Sequence, residues 1–349
     1  MRRTIVITAA LVIAGCGPPC KGARQAPIAG ELTLDCGAPI DAVSDAVKDG
    51  ALILLGEIHG TAEIPAFVGR VACSVARRRV TVWLALEHPV ADQARVDAFL
   101  ASGDAASLGQ GGVWRQPQQD GRGSAAMLGL LREVRRLRNA GGDVRVVLID
   151  QPGSDRDRSM ADTIAAIPRH PGDVVLVLTG NVHARRRLGA DWDPDYRPMG
   201  FWLAERGLAP IALDAATAGG SAWVCMGQPV TCGASRVVGT HTGARPFIRL
   251  NPPAEVGPYD GVFYVGTVSA SPPAFGIFHS RDERAHRCPP RRRPRARSAS
   301  RGPGCRRSPI RPASPTWASD RAPAWALRSS TPIAGRNSWP RAGHSTSMV

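Results

Sequence analysis

Polar residues in this chain sit at the ends of apolar runs, and they do so four times. Ala51 to Gly56 leads into Glu57-Ile58-His59-Gly60, and Val80 to Leu86 leads into Glu87-His88. Val144 to Ile149 leads into Asp150, and Asp173 to Leu178 leads into Thr179-Gly180-Asn181-Val182-His183. Short apolar runs rich in Val, Ile and Leu read as strands covered on both faces, as in a parallel sheet. Between them the period changes. Ile64, Phe67, Val68, Val71 and Val75 recur at three- and four-residue steps across Ala62 to Arg79. Met127, Leu130, Leu131, Val134 and Leu137 do the same across Ser124 to Asn139, which Gly141-Gly142 stops. Both spacings predict helices with a buried stripe. Shorter helices are expected over Ala91 to Ala101 and Asp155 to Ala166. Residues 103–123, rich in Gly and Gln around Trp114, read as a loop or lid. Pro210 to Leu213, Ala222 to Cys225 and Val262 to Val268 read as later strands, some of them antiparallel.

The alternation predicts an α/β fold with a mainly parallel central sheet and flanking helices. In such a sheet ligands bind in the crevice beyond the carboxyl ends of the strands. One shared edge would gather Glu57, His59, Glu87, Asp150 and His183. Residues two apart in extended chain point the same way, so Glu57 and His59 would face one crevice. Neighbouring carboxylates perturb each other's proton affinity, which suits a general acid or base. His183 would act as a base or a metal ligand, as its partner dictates. Arg158, in the first turn after the third strand, would reach the edge and grip a carboxylate or phosphate through its planar fork. The blander reading pairs Arg158 with Asp155 or Asp162 on its own helix, for a gain of only ~0.2–0.5 kcal/mol.

Charge changes the picture less than its total suggests. The 349 residues carry a formal +15. Residues 281–349 hold 16 Arg and 3 acids, whereas the first 280 hold 28 basic and 26 acidic groups. The body is near neutral, so no nucleic-acid face is implied. From about residue 280 apolar periodicity ends, and the segment reads as a disordered Arg/Pro/Ser-rich tail or as out-of-frame coding sequence, with an arginine-rich tail binding anionic lipid or polymer well behind both. At the other end, Arg2 and Arg3 precede an apolar run, Ile5 to Ala14, too short to span a bilayer. It closes on Ile13-Ala14-Gly15-Cys16, similar to a bacterial lipobox with Cys16 as the lipidated residue. The expected organisation is a signal at 1–15, a Pro/Gly-rich tether at 16–40, an α/β domain at 41–279 and the tail at 280–349. That places the chain in the cell envelope, held to the membrane by its N-terminal lipid, in the outer membrane if the source is Gram-negative. Export permits disulfides. Cys225 and Cys232, seven apart around Gly227 and Pro229, suit a closed turn. Two of Cys20, Cys36 and Cys73 would be able to pair, although Cys73 falls in a helical pattern and reads as a small buried residue.

Leu55-Gly56-Glu57-Ile58-His59-Gly60, the Glu87 strand end, Arg158-Ser159-Met160-Ala161 and Gly180-Asn181-Val182-His183 together resemble the EreA/ChaN-like superfamily over roughly residues 45–270. The superfamily includes ChaN-type haem-uptake lipoproteins, erythromycin esterases and the more distant TraB/Tiki proteins. In the esterases, residues matching Glu57, His59, Glu87, Arg158 and His183 activate water for lactone cleavage. The esterases usually have one more residue between the first Glu and His, and a larger helical insertion. The tighter spacing here and the apparent lipobox look more like ChaN. The resemblance therefore implies a membrane-anchored lipoprotein binding haem or a related iron-bearing small-molecule ligand. Its alternative is an ester or lactone hydrolase, with a divalent metal as an option by analogy to Tiki proteins. Spacing identifies no haem ligand, although His88, Tyr196, His241 and Tyr259 are candidates by residue type, and it leaves the oligomeric state open. Trp114, Trp192, Tyr196 and Trp202 would give the pocket mouth an aromatic character.

Overall fold

The computed structural model describes residues 30–153, 155–252 and 257–276. The signal segment, Cys16, the first part of the tether and the Arg-rich tail lie outside the described residues. Residues 30–188 and 197–276 fall in one compact unit, and the short segment Gly189–Tyr196 is assigned to another.

Among the described residues nine strands are present: β1 (Leu52–Glu57), β2 (Val82–Pro89), β3 (Val144–Asp150), β4 (Val174–Gly180), β5 (Pro210–Ala216), β6 (Gly220–Met226), β7 (Thr231–Val237), β8 (Phe247–Leu250) and β9 (Gly261–Tyr264). The α-helices are α1 (Val43–Ala46), α2 (Glu63–Arg77), α3 (Gln93–Ser102), α4 (Gly112–Arg115), α5 (Ala125–Asn139), α6 (Arg156–Ala165), α7 (Asn181–Ala184) and α8 (Met199–Glu205). Seven strands form one sheet in the order β3-β2-β4-β1-β5-β9-β8, parallel except for β8, while β6 and β7 make a separate antiparallel hairpin. No described helix is long and apolar enough to cross a membrane.

The central strands are apolar throughout because helices cover both faces. Ile53, Leu55, Leu84, Leu86, Leu176 and Leu178 pack with the apolar stripes of α2 and α5. Leu52, Leu54, Ala85, Val175 and Val177 pack with Met160, Ala161 and Ile164 of α6 and Met199 and Leu203 of α8. Ser124 caps α5 by accepting from the Met127 N–H, and Gly141 follows its end with φ 89°.

Three expectations are corrected. Residues 31–40 are packed rather than a free tether: Leu34 is buried, Leu32 N–H donates to the Arg77 carbonyl, and Cys36 is bonded to Cys73 with Cα atoms 5.5 Å apart. Cys73 is thus both buried in α2 and a disulfide partner. The helical period shows which face Cys73 occupies but not what strand of chain lies over it. Trp114 lies in the core, edge-on to His88 and Phe275, rather than at a pocket mouth. The Cys225–Cys232 bond is present and joins directly paired positions of the hairpin. Strands β7 and β8, which are short and polar at many positions, escape a periodicity reading.

Candidate functional site

Register places the site. Leu55 of β1 and Leu86 of β2 both pair with Leu178 of β4, the strand between them. The residues that follow therefore emerge level at one edge: Glu57 beside Gly180, and Glu87 beside Thr179. Asp150 leaves the neighbouring β3, whose Leu148 pairs with Leu86. Loops and helix starts beyond this edge add the remaining groups.

His59 is oriented by Glu57, whose Oε1 lies 2.9 Å from His59 Nδ1, and its Nε2 stands 3.8 Å from Glu87 Oε2. Burial works against a charged ring here. The fields of Glu57 and Glu87 and the Glu57 hydrogen bond outweigh it and lift the His59 pKa from 6.5 to about 9. His59 is therefore an imidazolium at neutral pH. His183 is held in the same way from the opposite side, its Nδ1 2.7 Å from Asp157 Oδ1, which also accepts from the Met199 N–H. Arg156 Nη1 lies 2.9 Å from His183 Nε2. A guanidinium only donates, so that nitrogen carries the lone pair and Nδ1 carries the proton.

Glu87 is the hub between them. Its Oε1 accepts from Arg156 Nη2 at 2.6 Å and Arg122 Nη1 at 3.3 Å, and its Oε2 accepts from Thr179 Oγ1 at 2.8 Å and the Gly180 N–H at 2.7 Å. Burial alone would raise its pKa, but the positive charges of His59, Arg156 and Arg122 hold it well below the ordinary carboxylate range. With about four lone-pair directions filled, Glu87 is an ionised anchor rather than a base. Asp150 completes the layer, bridging Arg156 Nε at 2.7 Å and Arg122 Nη1 at 3.0 Å, while Asp120 grips Arg122 at 2.8 Å. Every charge in this buried group has a partner, which such a group requires because an unpaired buried charge costs several kcal/mol.

Gly180 sits between the two imidazoles. A Cβ built there would lie 3.1 Å from His59 Nε2, 3.5 Å from Glu87 Oε2 and 3.5 Å from His183 Cδ2. Its backbone is in an ordinary region, φ −53° and ψ 141°, so the glycine leaves space at the site rather than relieving strain.

Glu57, His59, Glu87, Asp150 and His183 are thus brought together. Arg158 is not: it is exposed, with its guanidinium 5.3 Å from the Trp202 ring centre, and Arg156 occupies the edge instead. The helical period holds the signal that separates them. Arg156 precedes buried Met160 by four residues, whereas Arg158 precedes exposed Asp162 by four. Asp157 has a similar signal, being four before buried Ala161. Arg122 and Asp120 come from the 103–123 loop, where no period exists to mark them. The other ligand candidates are otherwise occupied. His88 is buried with Nε2 2.9 Å from the Arg122 carbonyl, Tyr259 donates to the Asn181 carbonyl, and His241 is 3.2 Å from Thr240 Oγ1. Tyr196 lies in the 189–196 segment, with its ring 5.8 Å from that of Trp192. Among the described residues no group of three His, Cys, Asp or Glu is arranged to hold a metal ion.

No family model matches the sequence, and no curated protein matches it. Solved structures do. A Bacillus cereus protein superposes with a TM-score of 0.50 at 11% identity, over 66% of this chain and 92% of its own. A mutant of erythromycin esterase EreC in its open conformation gives 0.41 at 14% identity, over 66% and 78%. ChaN of Campylobacter jejuni, solved with cofacially bound haem, gives 0.31 at 12% identity, over 50% and 84%. At 11% identity the likeness to the Bacillus cereus protein extends to the fold alone.

Proposed function

We propose that this chain is a hydrolase of esters or lactones, working by acid–base catalysis between His59 and His183. One observation carries the reading. Two imidazoles, each oriented through Nδ1 by its own carboxylate, converge across Gly180. A general acid and a general base at one site require two such groups held in fixed orientation toward the reacting atoms. On this reading His183 Nε2 takes a proton from water as Arg156 turns its Nη1–H toward the substrate carbonyl. The water oxygen bonds to the acyl carbon. As the tetrahedral adduct collapses and the acyl C–O bond breaks, His59 gives its proton to the departing oxygen. Transfer of the proton from His183 to His59 through solvent restores the start.

The same geometry fits haem poorly. Axial ligation needs a bare ring nitrogen, and three of these four imidazole nitrogens face Glu57, Glu87 and Asp157, leaving His183 Nε2 once Arg156 turns away. Purified chain assayed on an ester and lactone panel should show turnover that falls about 10²–10⁴-fold in both His59→Gln and His183→Gln. Turnover unaffected by either change, or no turnover on any member, refutes the hydrolase reading. A saturable Soret band with hemin, lost in His59→Gln, would favour haem instead. The lipid-anchored envelope location belongs to this proposal too, supported by two disulfides in the body, which suit an oxidising compartment. Mass spectrometry of the mature N-terminus should find acylated Cys16, and an unprocessed Met1 would rule it out.

A further inference from the structure

The β6–β7 hairpin contributes no group to the proton chemistry, yet one of its residues, through backbone and side chain together, ties both segments that frame the site. Trp223 N–H donates to the Gly60 carbonyl at 2.8 Å, and its indole Nε1–H donates to the Gln119 carbonyl at 2.9 Å. Gly60 directly follows His59. Gln119 directly precedes Asp120 and stands three residues from Arg122. These segments are stacked in backbone contact. A Cβ on Gly60 would meet the Trp223 carbonyl at 2.1 Å, and one on Gly121 would meet the Gly60 nitrogen at 2.3 Å. Both glycines have positive φ, 74° and 98°, so the layers close only because neither carries a side chain. The Cys225–Cys232 bond closes the hairpin two residues from Trp223.

We infer that Trp223 is a positioning residue that sets His59 against Glu57 and Glu87 while holding the Arg122 loop on the same framework. The inference deepens the hydrolase reading above and takes its expected kinetics from it. Trp223 donates two hydrogen bonds in divergent directions from one rigid residue. Loss of the indole N–H leaves the Gln119 carbonyl without that donor and lets the loop and turn part. Water then enters between His59 and the carboxylates, and the field that keeps the ring charged weakens.

Trp223→Phe in the full chain keeps a ring and the backbone bond while removing the indole donor. The His59 ring resonances, followed by NMR against pH, should titrate about half a unit to one unit lower than in the parent. Turnover of any ester substrate should drop about ten- to a hundredfold in kcat, with KM within about twofold. A folded Trp223→Phe protein whose His59 titrates as in the parent overturns the inference. Should Trp223→Phe fail to fold, Cys225→Ser/Cys232→Ser loosens the same hairpin and is read by the same titration. An unchanged His59 there is equally fatal. Trp202→Phe, which removes an indole remote from these segments, should leave the titration unmoved, and an equal shift in it also refutes a specific role for Trp223. If the parent hydrolyses nothing, the hydrolase reading fails while the titration still decides the role of Trp223.

Discussion

The charged state of His59 should be visible in the stability of the whole protein. Its pKa is 6.5 when unperturbed and about 9 in the fold. The gap of roughly 2.5 units, at about 1.36 kcal/mol per unit, is on the order of 3 kcal/mol. The side chain is 24% exposed, so solvent screens the Glu57 and Glu87 fields only partly. Because the folded value is the higher one, this stabilisation is fully present below pH 6.5 and is lost as pH rises through 9. Two other perturbed groups fall outside that window. Burial raises the Asp214 pKa from 3.8 to about 6, which lowers stability between those values as pH rises. Burial lowers the His88 pKa from 6.5 to about 4, so stability grows with pH over that range. From pH 6.5 to 9 the decline therefore reports on His59. Urea unfolding at intervals between pH 6 and 10 should give an unfolding free energy that falls by about 3 kcal/mol. Glu57→Gln, which removes the nearest negative charge, should flatten most of that slope, and His59→Gln should abolish it. A parent protein equally stable at both ends of the window, or a slope that survives in His59→Gln, would refute this account of the site.

Two further outcomes separate the site's parts. Gly180→Ala places a methyl 3.1 Å from His59 Nε2 at an unstrained φ. It should leave the melting temperature within a few degrees while cutting ester turnover by about a hundredfold, and full activity would contradict the convergence of the imidazoles on that point. Arg156→Ala strips four hydrogen bonds from Glu87, Asp150 and His183, so it should destabilise the fold by about 3–5 kcal/mol and abolish turnover. Exposed Arg158→Ala should change stability by under about 0.5 kcal/mol and leave kcat as it was; denaturant melts and kinetics on the pair decide this.

Sequence alone determined the sheet and most of its edge. Buried parallel strands must be apolar along their length, so the first polar residue after each run marks where the strand leaves the core. Glu57, Glu87, Asp150 and Thr179 are all such residues. The helix stripes of α2 and α5 were legible for the same reason, since burial imposes a period. What the sequence did not reveal lies where no period operates. Arg122 and Asp120 stand on an irregular loop, and the Cys36–Cys73 bond joins positions 37 residues apart. Strand order was equally hidden. That β4 inserts between β1 and β2 is what brings His59 and His183 to either side of Gly180. Tertiary structure also chose the roles. Glu87 reads from sequence as a candidate general acid or base, but the four donors around it make it an anchor. The reason is physical: periodicity records which residues avoid water, whereas proton affinity depends on the charges and donors within a few ångströms, most of which come from distant parts of the chain.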